Sequence, residues 1–202
     1  MGRGGPEVQE CGDRSVSART QKTAASALPG DLDKSALIDR ILRVDHAGEF
    51  GAKRIYEGQL AVLGKSSSKE TLEHMRAQEL EHLAAFEKLM VNRRARPTIL
   101  QPLWHVAGFA LGAGTALLGE KAAMACTIAV EEVIDEHYAS QTEQLGDDEA
   151  ELRETLESFR AEEQEHRDIG IAHGGEDAPG YPVLKRAVQA GSRAAIWLSE
   201  RI

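Results

Sequence analysis

Residues 78–83 read QELEHL and residues 162–167 read EEQEHR. Glu-x-Glu-His therefore occurs twice, with its histidines His82 and His166 separated by 84 positions. On an α-helix, positions i and i+3 lie on one face. Glu79 and His82 can then converge on one point, as can Glu163 and His166, while the intervening Glu81 and Glu165 point elsewhere. Glu-x-x-His alone is a weak signal, because the usual fate of glutamate is a solvated helical surface. What decides its meaning is where the rest of the chain places the two pairs.

Working outward, apolar residues recur at helical spacing from Lys34 to about Gly64, through Leu37, Ile38, Ile41, Val44, Ile55, Leu60 and Leu63. Gly64 reads as a helix stop, and Ser67 with Glu70 as a capping box for the next helix. That second helix carries the first Glu-x-x-His pair and ends before Pro97, which lacks a backbone donor. A third helical stretch runs from about Glu120 to Leu145, stopped at Gly146. Asp148 with Glu151 repeats the capping signature, and a fourth helix carries the second pair to about His173. After a Gly- and Pro-rich loop, an amphipathic helix spans roughly 182–200. Strand signals are almost absent. The expected fold is all-α: a four-helix bundle of two hairpins, an uncharged connecting segment and a C-terminal helix.

Folding the hairpins aligns four glutamates. Glu49 lies 15 residues before Gly64, and Glu79 lies 14 after Lys65. Glu131 lies 15 before Gly146, and Glu163 lies 15 after Asp148. At a rise of about 1.5 Å per residue, each up-and-down path returns to the height at which it began. Packed together, the hairpins set Glu49, Glu79, His82, Glu131, Glu163 and His166 at one level. Four unpaired carboxylates are too costly to bury alone, and two cations would offset that cost. Mixed carboxylate–imidazole ligation suits iron or manganese better than a structural zinc, which favours closed tetrahedral sites. One Glu from each of two helices, with Glu-x-x-His from each of the other two, is the donor set of ferritin-like di-metal bundles. Spacing alone does not choose between Glu131 and its neighbour Glu132.

The bulk properties agree with this reading. The 202 residues suffice for one domain with a sizeable core. A net charge of −9 opposes a nucleic-acid partner held by phosphate contacts. The two cysteines, Cys11 in a polar leader and Cys126 in an apolar run, do not suggest a structural disulfide and fit a reducing compartment. Residues 1–33 lack apolar periodicity and are expected to be a flexible extension, with 34–202 as the domain. No apolar signal-peptide region is present. Arg3, Arg14, Arg19 and Lys22 suit a transit peptide, Glu7, Glu10 and Asp13 oppose one, and a tag remnant reads equally well.

Three longer motifs narrow the class: RVDHAGEFGAKRIYEGQ around Glu49, HVAGFALGAGTALLGEKAAMACTIAVEEVIDEHY around Glu131, and the closing AAIWLSERI. Over about residues 34–202 the chain resembles the 5-demethoxyubiquinone hydroxylases, the ubiquinone-biosynthesis branch of the ferritin-like di-iron proteins. The resemblance implies that Glu49, Glu131 and the two Glu-x-x-His pairs ligate two iron ions, and it selects Glu131 over Glu132. It implies a mono-oxygenase that hydroxylates the ring of demethoxyubiquinone with O2, drawing reducing equivalents ultimately from NADH. Around the ligands, His46, His137 and Tyr138, with Asp45, are candidates to orient ligands or relay protons and electrons; ordinary buried, hydrogen-bonded polar groups would look the same.

The 23 residues Pro97–Gly119 carry no formal charge, a length sufficient to span a bilayer. Pro102, Gly108, Gly112 and Gly114 weaken it as an isolated helix, and spanning would separate the two hairpins that share the site. An interfacial or buried run is expected, preceded by Arg93, Arg94 and Arg96 for anionic headgroups. Its apolar face could admit a polyprenyl tail; core packing alone is the plainer alternative. The resemblance implies a protein peripheral to the inner membrane, on the mitochondrial matrix face or the cytoplasmic face of a bacterium. It also implies a lipid-binding accessory protein as partner in mitochondria; a homo-oligomer is possible. Two other functions stay open: a ferritin- or rubrerythrin-like protein handling iron or peroxide, and a membrane-bound scaffold without metal.

Overall fold

The computed structural model describes Met1 and residues 32–202, so the expected extension lies almost wholly outside the described residues. Six helices follow in order: α1 (Lys34–Leu63), α2 (Lys69–Arg93), α3 (Gln101–Leu117), α4 (Glu120–Gln144), α5 (Ala150–Ala172) and α6 (Tyr181–Ser199). Among the described residues there is no strand. Asp33 caps α1 by accepting a 2.8 Å hydrogen bond from the Ala36 N–H, satisfying one of the free donors of the first turn.

Neither expected capping box forms. The side chain of Ser68, the residue before α2, does not cap it; Ser67 and Ser68 instead donate to Glu120 at 3.1 and 2.7 Å, tying the α1–α2 turn to the start of α4. Asp147–Glu149 form a short 3₁₀ turn before α5, and Asp148 pairs with Lys34 across the end of the bundle. A tertiary carboxylate or ammonium outcompetes the local backbone donor in both places.

Helices α1 and α2 form one hairpin and α4 and α5 the other, with α1 beside α4 and α2 beside α5. The core has two apolar layers. Ile41, Leu42, Phe86, Leu152 and Leu156 fill one end; Tyr56, Leu72, Met75 and Met124 fill the other. Burying each large side chain contributes about 1.5–3 kcal/mol. The layers also close off the level between them, where the four glutamates and two histidines sit.

The uncharged segment is a helix in its own right. It lies along α1 at very close range: a Cβ built on Gly112 would stand 1.9 Å from the Ile55 carbonyl oxygen, and one on Gly58 would stand 2.2 Å from that of Phe109. Only glycine permits this approach. The chain then turns into α4 at Gly119, whose φ of +115° is open to glycine and strained for other residues. Helix α6 packs on α4 and α1: Lys185 and Gln189 reach Glu132, while Arg43 donates to the carbonyls of Ser199 and Glu200. Among the described residues no helix is long and apolar enough to cross a membrane.

Candidate metal centre

Glu49 comes from α1, Glu79 and His82 from α2, Glu131 from α4, and Glu163 and His166 from α5. All six are at least 99% buried. The structure brings them together as two overlapping groups: Glu49, Glu79, His82 and Glu163, then Glu79, Glu131, Glu163 and His166. Within each group one donor atom per residue lies within 4.8 Å of every other. Glu79 and Glu163 belong to both, so each group has one carboxylate and one imidazole of its own and shares two carboxylates. Glu81 and Glu165 are exposed. Glu132, the neighbour that spacing could not exclude, faces outward and pairs with Lys185 at 2.7 Å.

The donor atoms are aimed at a common centre. His82 Nδ1 lies 3.2 Å from Glu163 and 3.5 Å from Glu49; His166 Nδ1 lies 3.3 Å from Glu79 and 3.4 Å from Glu163. Eight buried atoms on these six residues have no hydrogen-bond partner among the described residues: Glu49 Oε2, both oxygens of Glu79 and of Glu163, Glu131 Oε2, and both Nδ1 atoms. Buried polar atoms are rarely left this way, because each orphan costs about 1–3 kcal/mol. Hard oxygen donors mixed with imidazole nitrogens, unpaired and converging, fit a pair of divalent or trivalent cations.

The outer faces of the same side chains are fully engaged. His82 Nε2 meets Glu162 Oε2 at 3.1 Å, and His166 Nε2 meets Gln78 Oε1 at 3.0 Å. Both partners are acceptors, so each ring carries its proton on Nε2 and turns the Nδ1 lone pair inward. Gln78 Nε2 in turn donates to Glu162 at 3.2 Å, linking the two imidazoles through one chain. The Tyr56 hydroxyl donates to Glu131 at 2.7 Å, and the Tyr138 hydroxyl donates to Glu49. Phe159 stacks on His82 with ring centroids 4.0 Å apart.

The electrostatics show how poorly these groups tolerate one another without cations. Burial pushes the Glu79 and Glu131 carboxyls well above the usual range, and repulsion from Glu163 adds to it. Burial would raise Glu163 as well, but the His166 and His82 imidazoles beside it hold it at about 2. Against its own burial, His82 is pushed up to about 11 by Glu163 and Glu49. With protein groups alone, His82 therefore carries a second proton, on Nδ1. A cation at the centre would displace it, as metal binding does generally.

Of the residues expected around the ligands, Tyr138 touches Glu49. His137 instead lies 2.9 Å from Gln141 Nε2 and 3.7 Å from Asp45, and Gln141 donates to Asp45 at 2.7 Å. That polar cluster sits one helical turn along α1 from Glu49. His46 is buried, and its Nδ1 has no partner among the described residues. Sequence reasoning missed Tyr56, Gln78 and Glu162. A signal for one of them was there: Tyr56 follows Glu49 by seven positions as Tyr138 follows Glu131.

A helical bundle that places these donors at one level belongs to the ferritin-like class, whose di-metal members use this set. The chain belongs to the family described as ubiquinone biosynthesis protein COQ7, whose profile matches residues 36–199. It is 64% identical over 186 residues to the 3-demethoxyubiquinol 3-hydroxylase of Rhodospirillum rubrum, covering 92% of this chain and 88% of that one. It is 52% identical over 197 residues to the human mitochondrial NADPH-dependent 3-demethoxyubiquinone 3-hydroxylase, covering 94% and 91%. The mitochondrial 5-demethoxyubiquinone hydroxylase of Saccharomyces cerevisiae is 41% identical over 186 residues, with 84% and 80% covered. The chain is thus an enzyme of this hydroxylase family.

Proposed function

We propose that the chain is a di-iron mono-oxygenase hydroxylating the ring of demethoxyubiquinone, or its quinol, in ubiquinone biosynthesis. The observation that carries this reading is the ring of eight unpartnered donor atoms, buried beside an apolar cavity, in a chain so similar to named hydroxylases. Glu49 and His82 would hold one iron and Glu131 and His166 the other, with Glu79 and Glu163 shared. When bound, the iron pair supplies the activation of O2 and delivery of one oxygen atom to the ring. The other oxygen leaves as water, taking up two protons and two electrons.

The protein's part is placement. Tyr56 and Tyr138 hold one oxygen each of Glu131 and Glu49, leaving the other oxygen for metal. Glu162 and Gln78 hold both imidazoles in the ligating tautomer. The cavity, about 320 Å³, is lined by α1, α3, α4 and α6, with Gly48, Trp104, Val130 and Ile134 among its walls. Gly48 and Val130, which line it, neighbour Glu49 and Glu131 in the chain, so a ring bound there would lie across the α1 and α4 walls from the metal ligands, and the tail would leave between α3 and α6. Both helices expose apolar residues, including Leu103, Val106, Leu117, Val183 and Trp197. This supports peripheral attachment to an inner membrane, on the matrix or cytoplasmic face, and a docking face for a lipid-binding accessory protein in mitochondria. Reduced nicotinamide is the electron source in this reading; NADH is the expected form, and the human relative's name specifies NADPH.

The test is conversion of a demethoxyquinone by the purified, iron-loaded chain under O2, with NADH and NADPH compared. Hydroxylated quinone and two irons per chain are expected. Iron oxidation or peroxide consumption without ring hydroxylation would instead favour a ferritin- or rubrerythrin-like role.

A further inference from the structure

The glycines of α1 and α3 fall into two physical kinds. At Gly58, Gly108 and Gly112 an added Cβ would collide with a neighbouring backbone, so these glycines are required by the packing of α3 on α1. At Gly48 and Gly51 an added Cβ would meet nothing within 4 Å. Neither has a positive φ. Glycine there weakens the helix and is repaid by no close contact.

Both residues face the cavity. Val44, Gly48, Gly51 and Ile55 line it from α1, and their i, i+4, i+7, i+11 spacing is one helical face. Gly48 and Gly51 are the middle of that face. Ala47 and Ala52 form its edges. The result is a backbone-floored slot on the α1 wall of the cavity, one residue before and two after Glu49 in the chain. The close approach of Gly108 does not account for it: Gly108 meets the Gly51 carbonyl oxygen, not the space a Gly51 side chain would fill.

We propose that Gly48 and Gly51 determine substrate specificity, by leaving a slot in which the planar quinone ring lies flat against the α1 backbone beside Glu49. This rests on the function proposed above. A methyl group at either position would stand where the ring lies, while the branched isoprenoid tail runs past Trp104 towards α3 and α6.

The experiment compares Gly48→Ala and Gly51→Ala with the unaltered chain and with Gly112→Ala. Melting temperature and iron content are measured with steady-state kinetics on two demethoxyquinones, one with a single isoprenoid unit and one with a long tail. Ring binding to the iron-depleted chains is followed by quenching of Trp104 emission in a Trp197→Phe background. The slot predicts melting temperatures and iron content at or above those of the unaltered chain for both slot variants. It predicts kcat/KM and quencher affinity lower by about tenfold or more, equally for both tails. Gly112→Ala should lower the melting temperature. Unchanged kinetics, a loss of stability in the slot variants, or a defect relieved by the short tail would each overturn the assignment. Absence of turnover and quenching in the unaltered chain would instead strike at the proposed function.

Discussion

Tyr56, on α1, donates its hydroxyl proton across the bundle to Glu131 on α4, at 2.7 Å. Tyr138, on α4, returns the arrangement by donating to Glu49 on α1. Each tyrosine stands seven residues after the glutamate of its own helix and bonds the glutamate of the other. The two hairpins are thus latched at the level of the cluster by a reciprocal pair, and each latch turns one carboxylate oxygen away from the centre and leaves the other facing it.

Removing one latch should loosen one ligand without dismantling the site. Tyr56→Phe and Tyr138→Phe are each expected to cost about 1 kcal/mol of stability, as a lost buried hydrogen bond typically does. Iron affinity should fall about tenfold, in line with other outer partners of metal ligands. Similar effects from the two variants, by thermal melts and iron titration, would reflect the reciprocity; a strong effect from one alone would refute it.

Metal binding should release protons. His82 is pushed up to about 11 and so holds at neutral pH a proton that a cation must displace, and burial shifts Glu79 and Glu131 in the same proton-retaining direction. Iron affinity is therefore expected to rise with pH between about 6 and 8. Calorimetric titration of Fe(II) in buffers of different ionisation heat measures the release directly. Glu163→Gln removes a shared ligand and should abolish turnover and lower bound iron from two per chain.

A different carboxylate governs acid stability. Arg93 donates to Glu149 at 2.8 Å, and Lys34 lies 2.9 Å away. The Arg93 bond, aided by Lys34, outweighs partial burial and holds the Glu149 carboxyl below its ordinary value of 4.5. A depressed carboxylate stabilises the fold above its unfolded pKa, and that contribution is lost as pH falls through the folded value. Glu149→Gln should cost about 1 kcal/mol at pH 7, a modest figure because Arg93 is partly exposed. The difference from the unaltered chain should shrink as pH falls below 4.5, as followed by urea melts across the acid range.

The exposed apolar face predicts binding to lipid. Leu117 on α3, Leu118 just beyond it and Trp197 on α6 are 74%, 72% and 55% exposed. Anionic vesicles should shift Trp197 emission to the blue. Leu117→Asp should weaken partitioning by about tenfold or more, since burial of a leucine is worth about 1.5–3 kcal/mol. Equal binding by the two proteins would place the membrane contact elsewhere.

Much of this architecture is a local matter and could be read from the chain. Helical period, breakers at Gly64, Pro97 and Gly146, and the i, i+3 spacing of Glu79/His82 and Glu163/His166 depend only on residues within a few turns of one another. The equal arm lengths of the two hairpins carried the argument to the bundle, because rise per residue is nearly constant. The choice of Glu131 over Glu132 needed family resemblance; the fold places Glu131 in the buried cluster and pairs Glu132 with Lys185 and Gln189 on α6.

Tertiary packing alone decided the rest. Nothing local marks Glu162 and Gln78 as partners of His82 and His166, since each pairing crosses between α2 and α5. Ser67, Ser68 and Asp148 have the sequence of caps, yet distant Glu120 and Lys34 take their side chains. The uncharged segment's composition fits a membrane span, an interfacial run or core; only the fold shows that its Gly108 and Gly112 meet the backbone of α1. Side-chain partners across a helix pair depend on rotation and separation of whole helices, which are set by the summed packing of every contact and not by the spacing within either one.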